Sequence, residues 1–126
     1  MNMKSTKPLA HLLCGVAVLA LTACASQKAP ATADVAVSRN AVENAVSAGA
    51  AELAPEEINA ARSKMMRANA ALAAKDYKLA RELATQAQAD AKLAQSKANS
   101  AKSTAAADAL NADLRVLREE VERAGK

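Results

Sequence analysis

The sequence predicts an all-α protein built as an antiparallel helical hairpin, with one long alanine-rich helix and a C-terminal amphipathic, coiled-coil-like helix. Ala, the best helix former, fills 36 of the 126 positions, while Gly and Pro occur three times each. Apolar residues recur at steps of three and four. Tyr77 is the only aromatic residue, with neither Phe nor Trp present. Aromatics usually dominate the energy of a buried core, so this chain has little with which to build one. A sheet protein, an α/β enzyme and a Pro/Gly-type disordered chain are all disfavoured. The length allows one small domain.

Residues 1–23 read as a secretory signal peptide. Lys4 and Lys7 supply the positive start, and residues 9–21 form an apolar stretch. That stretch is too short for a spanning helix, which needs roughly 20 apolar residues. Leu21-Thr22-Ala23-Cys24 looks like a bacterial lipobox, with Cys24 as the lipidated first residue of the mature chain. An ordinary signal peptide with a chance Cys is the alternative. Small residues before Cys24 and the polar, Ala/Pro-containing residues 25–32 speak against it. Several acyl chains make a durable anchor, since each buried CH₂ contributes roughly 0.8 kcal/mol. Ala25 and Ser26 follow the Cys, with no Asp there. By resemblance to sorted Gram-negative lipoproteins, this implies the outer membrane, facing the periplasm.

Processing would also remove chemistry. Cys14 and His11, the only His, lie in the segment removed, and Cys24 would be blocked by lipid. Without Lys4 and Lys7 the mature chain carries fifteen basic against thirteen acidic residues, near neutrality. The high overall pI is therefore no argument for nucleic acid.

Residues 24–33 are small and polar and read as a flexible tether. An Ala-rich helical domain over 34–105 follows. Val35, Val42, Val46, Gly49 and Leu53 mark one face of its first helix. Ala54-Pro55-Glu56-Glu57 reads as a break and restart, because Pro suits the first helical position and acids favour the first turn. Ile58, Ala61, Met65, Ala68 and Leu72 form the next apolar face, with Glu56, Asn59, Ser63 and Arg67 on the solvated side. Asp76 and Tyr77 mark the hairpin turn, Asp76 being a good N-cap.

Tyr77, Ala80, Ala84, Ala87, Ala91, Ala94, Ala98, Ala101 and Ala105 then repeat at three-four spacing. A strict heptad stripe argues for a helix lying along a partner helix. Alanine at each seam position lets backbones pack close. In so Ala-rich a chain, chance is the alternative.

A second stripe, Leu110, Leu114, Leu117, Val121 and Ala124, lies two residues out of phase, about 200° around the helix. Either the chain breaks near Ser103-Thr104, or one helix turns a new face to a new partner. Residues 106–126 thus form an amphipathic element whose interaction face is Leu110, Leu114, Leu117 and Val121. Arg115 with Glu119, Arg118 with Glu122, and Glu119 with Arg123 are opposite charges four residues apart.

Ala48-Gly49-Ala50, Ala54-Pro55-Glu56, Ala60-Ala61-Arg62, Lys75-Asp76-Tyr77 and the alanines from Ala80 to Ala91 together resemble a known bacterial family. It is the lipoprotein family called domain of unknown function 4398. The resemblance covers residues 34–105. Leu53 stands where that family often has an aromatic. The resemblance implies an envelope lipoprotein; some members carry a cell-wall-binding domain, which this chain lacks. The family brings no established activity. Asp76-Tyr77 with Ala80, Ala84 and Ala87 also looks like a tetratricopeptide turn, but there is no 34-residue recurrence.

No catalytic site, cofactor or metal site is expected. Once the first segment is gone there is no His, no usable Cys, no Gly-rich phosphate loop and no nucleophile elbow. No carboxylate cluster has calcium-loop spacing. Basic patches with interleaved aromatics are missing, so nucleic acid is not an expected partner. The expected partners are membrane lipid, through the acyl anchor, and either a second copy or another envelope protein. A non-enzymatic structural or interaction role follows. One alternative is peptidoglycan attachment through the final Lys126, as in the murein lipoprotein; another is an accessory subunit of an envelope complex.

Overall fold

The computed structural model describes the backbone of residues 7–126 and the side chains of residues 27–126. Four helices make up the described chain: α1 (Lys7–Ser47), α2 (Ala50–Leu53), α3 (Pro55–Ala73) and α4 (Tyr77–Ala124). No strand occurs among the described residues. The helices pack together, with α3 and α1 both laid along α4 and α2 closing one end. A two-helix hairpin is therefore not the whole packed unit, because α1 forms a third wall.

Directions follow from paired side chains. Glu57 meets Lys97, and one heptad later Lys64 meets Asp90, so α3 and α4 run antiparallel. Asp34 meets Arg81 and Ser38 meets Ala84, so α1 and α4 run parallel. Near the end of this overlap, a Cβ placed on Gly49 would lie 3.3 Å from Lys102 Cε and Nζ.

Alanine seals the middle of the bundle. Ala80, Ala84, Ala87, Ala91, Ala94 and Ala98 of α4 are all fully buried. Around them lie two clusters. Val35, Met65, Ala68, Ala71 and Leu83 pack toward the α3–α4 turn, with Leu72 beside them. Ala45, Ala50, Ala54, Ile58 and Ala61 pack toward the opposite end, with Ala41 and Val42 beside them. The seam stops short of the expected Ala105. Ala101 and Ala105 are exposed, because α1 has ended at Ser47 and α3 begins only at Pro55, leaving no helix opposite them.

On α1 Val35 is buried and Val42 half-buried as expected, and Ala31, Ser38 and Ala45 complete the buried face. Val46 and Leu53 are 37% and 42% exposed. A seam lined by alanine brings backbones close, and only small groups fit between them. The larger side chains are left at the rim. On α3 the expected face is the buried one, extended by Ala71. Glu56, Asn59, Ser63 and Arg67 are exposed.

Helix also replaces the expected tether. Residues 27–33 belong to α1 despite Pro30, whose ring removes one backbone donor. Thr32 Oγ1 donates to the Lys28 carbonyl at 2.9 Å, and Ala31 is buried. Contact with the bundle offsets the local preference of these residues.

The turns close by separate devices. Gly49 adopts φ 84°, a left-handed conformation that costs glycine little. Pro55 opens α3 after Ala54. At the other end of α3, the Asp76 N–H donates to the Ala71 carbonyl and the Lys75 N–H to the Leu72 carbonyl. This is the double bond pattern of a Schellman cap, with Lys75 at φ 63° in the position glycine usually holds. The Asp76 carboxylate then accepts from the Leu79 N–H at 3.1 Å and caps α4.

Candidate functional site

Three ion pairs and one further hydrogen bond between side chains cross from helix to helix in the bundle. Lys64 Nζ lies 2.5 Å from Asp90 Oδ2, and Arg81 Nε lies 2.8 Å from Asp34 Oδ2. Lys97 pairs with Glu57, and Arg39 Nη2 donates to Asn69 Oδ1 at 3.4 Å. The Lys97 ammonium hydrogen-bonded to Glu57 holds that carboxyl below the usual carboxylate range, and Glu57 in turn pushes Lys97 up. These pairs join α1 to α4, α3 to α4 and α1 to α3. A titratable group already neutralised by a neighbour on a packed flank is poorly placed for proton transfer. Among the described residues no group of three His, Cys, Asp or Glu side chains gathers closely enough to hold a metal ion.

What no other helix covers is α4 beyond the bundle. The chain from Tyr77 to Ala124 is one helix with no break at Ser103-Thr104, so of the two expected arrangements the broken helix is not the one seen. Neither Gly nor Pro occurs between those ends. Every residue from 101 to 126 is exposed. Leu110, Leu114, Leu117 and Val121 are 60%, 41%, 55% and 72% exposed and share one face of this arm. Leu114, Leu117, Arg118, Val121 and Glu122 border a shallow, mostly apolar concavity along it. A second shallow groove runs between α1 and α3, bordered by Thr32, Val35, Arg39, Asn69 and Leu72.

The charge pairs expected along the arm are not closed. The three ion pairs of the described residues all join different helices, while Arg115, Arg118, Glu119, Glu122 and Arg123 stay solvated. Exposed pairs return little for the side-chain freedom they cost. Asp76 caps α4 as expected, and Tyr77 is half-buried beside it. Leu21, Thr22, Ala23 and Cys24 fall in the part of α1 whose side chains lie outside the described residues. The first six residues of the expected signal peptide lie outside them altogether. Among the described residues no helix is long and apolar enough to cross a membrane.

Residues 33–110 match the family described as "Domain of unknown function (DUF4398)". The chain belongs to the DUF4398 family. No curated protein and no solved structure matches it. The DUF4398 match takes in the α1 segment from residue 33, all of α2 and α3, and α4 as far as Leu110. Leu114, Leu117 and Val121 therefore lie past the matched DUF4398 segment. The matched segment takes in all of the alanine-sealed bundle from residue 33 onward, and most of the apolar row lies on α4 beyond it.

Sequence reasoning missed Ser38 and Leu83, both buried. Ser38 belongs to a three-four series with Ala31, Val35 and Ala45, a signal visible only when small residues are counted as seam formers. Leu83 stands off the alanine stripe, beside Ala84 and Ala87, where it fills the wider end of the bundle near Met65.

Proposed function

We propose that this chain is a non-enzymatic lipoprotein of the outer membrane, facing the periplasm, whose role is to dock a partner helix. The observation that carries the docking role is the row Leu110, Leu114, Leu117 and Val121, exposed on an arm that no other helix covers. Contiguous exposed apolar rows on small proteins usually mark contact sites. The bundle supports this reading by holding the base of the arm rigid through its alanine seam. Lys4, Lys7, the apolar residues 9–21 and Leu21-Thr22-Ala23-Cys24 support the anchor. Acylation at Cys24 would fix the chain to lipid without a spanning helix.

Two experiments test the two halves. Cys24→Ser is expected to leave an unlipidated precursor that no longer fractionates with the outer membrane; unchanged fractionation would overturn the anchor. Leu114→Glu with Leu117→Glu is expected to remove crosslinked adducts from the envelope while circular dichroism of the bundle is kept. Adducts identical to wild type would overturn the docking face.

A further inference from the structure

We propose that the occupant of this face is a second copy of the same chain, its arm running parallel to the first in a two-stranded coiled coil. The inference rests on the docking reading above and adds the partner and its direction. Leu110 and Leu117 take the d positions of a heptad, and Leu114 and Val121 the a positions, with Ala107 and Ala124 at the margins. Leu fills both d positions and the β-branched Val121 one of the two a positions, and Leu at d with a β-branched residue at a favours two strands.

Charge decides the direction. With that register Asp113 and Glu120 fall at g, and Asn111 and Arg118 at e. In a parallel pair each g residue faces the e residue five positions further along the other strand. Asp113 then faces the partner's Arg118, and the contact occurs twice by symmetry. In an antiparallel pair with the apolar rows aligned, Leu110 packs against the partner's Val121 and Leu114 against the partner's Leu117. That arrangement sets Asp113 beside the partner's Glu120, two like charges, again twice. Its e positions bring Arg118 only to the partner's Asn111. The parallel pairing is attractive where the antiparallel one repels.

The geometry of the rest of the molecule permits it. All residues from 101 onward are exposed, so a second helix meets no obstruction from α1 or α3. Asp113 and Arg118 form no ion pair among the described residues and face solvent. Residues on the far side of the arm, Arg115, Glu119 and Glu122 among them, keep that side solvated.

The test is sedimentation equilibrium of the full chain in non-ionic detergent, over a broad concentration series. Wild type is expected to self-associate. Asp113→Lys places like charges together in the parallel pair and is expected to weaken association on the order of tenfold. Adding Arg118→Glu restores opposite charges and is expected to recover most of that loss. Circular dichroism of each variant controls for helix content. In the antiparallel arrangement Asp113→Lys meets Glu120 and tightens association, so a tighter Asp113→Lys variant would overturn the proposal. So would a wild-type chain that stays monomeric. If that monomer still yields adducts with another envelope protein, and Leu114→Glu with Leu117→Glu removes them, the docking reading stands without self-pairing. If the adducts are insensitive to those substitutions, both readings fall.

Discussion

The hydroxyl of Ser38, 1% exposed on α1, donates to the Ala84 carbonyl of α4 at 2.7 Å and also reaches its own helix's Asp34 carbonyl at 2.8 Å. Among the described residues it is the one buried polar residue of the core. One hydroxyl proton serves two acceptors, and both carbonyls also face helical N–H groups. The bond ties the parallel helices at a fixed register, where alanine alone would let them slide.

Removing that hydroxyl should therefore cost little more than one net hydrogen bond, about 1 kcal/mol. Ser38→Ala is expected to lower stability by that amount in urea unfolding. Ser38→Leu has no room between α1 and α4 and should cost about 1–3 kcal/mol, as overpacked cores do. Equal midpoints for Ser38→Ala and wild type would show that the contact carries no energy.

Ala91 and Ala105 occupy equivalent steps of one stripe and differ in surroundings. Ala91 is fully buried and Ala105 is exposed. Ala91→Leu is expected to destabilise the bundle by about 1–3 kcal/mol. Ala105→Leu should fall within about 0.5 kcal/mol of wild type, as surface substitutions usually do. Paired thermal melts read the difference directly.

How far the sequence disclosed this arrangement varies by helix. The α3 and α4 faces are legible because Ile58, Met65 and the alanines recur at three-four steps. Ahead of α3 some large apolar residues mislead. Val46 on α1 and Leu53 on α2 look like seam residues, yet the buried positions beside them go to Ala45, Ala50 and Ala54, while Val35 is buried as its bulk suggests. Bulk signals burial where cores are wide and misplaces it where backbones approach closely. The apolar row of the arm is legible from its change of phase. Its continuity with the seam is hidden by Ser103-Thr104, which resembles a cap, although the lack of Gly and Pro from Tyr77 to Ala124 argues for one helix.

Lys75 holds φ 63° at the end of α3, where a side chain normally costs about 1 kcal/mol or more. Lys75→Gly relieves this, offset in part by glycine's greater freedom in the unfolded chain. A gain of up to about 1 kcal/mol is expected in chemical denaturation. Asp76→Ala, one residue on, loses the cap at Leu79 and should cost about 1 kcal/mol. Opposite signs at neighbouring positions would confirm the cap geometry.

Acid should reveal the bond between Glu57 and Lys97. Lys97 hydrogen-bonding lowers the Glu57 pKa from its ordinary 4.5. The stabilisation is therefore present above that value and is lost as pH falls through the lower folded-state value. Lys97 is raised from 10.5, so its share is present below that value and is lost as pH rises past the raised one. Glu57→Gln is expected to melt slightly below wild type at neutral pH, and the gap should close in acid. Added salt should also narrow it, because the Lys97 side chain is half exposed. A gap independent of pH would assign the effect to packing.

The alanine seam also fixes how this protein answers heat and denaturant. An alanine has no χ angle, so its burial forfeits no rotamer entropy, and it removes little apolar area from water. Unfolding then exposes less apolar surface per residue than in a core of leucines and aromatics. Heat capacity change and denaturant slope both scale with that surface. The stability curve of the bundle is accordingly shallow, varying little between cold and warm, with a broad melting transition.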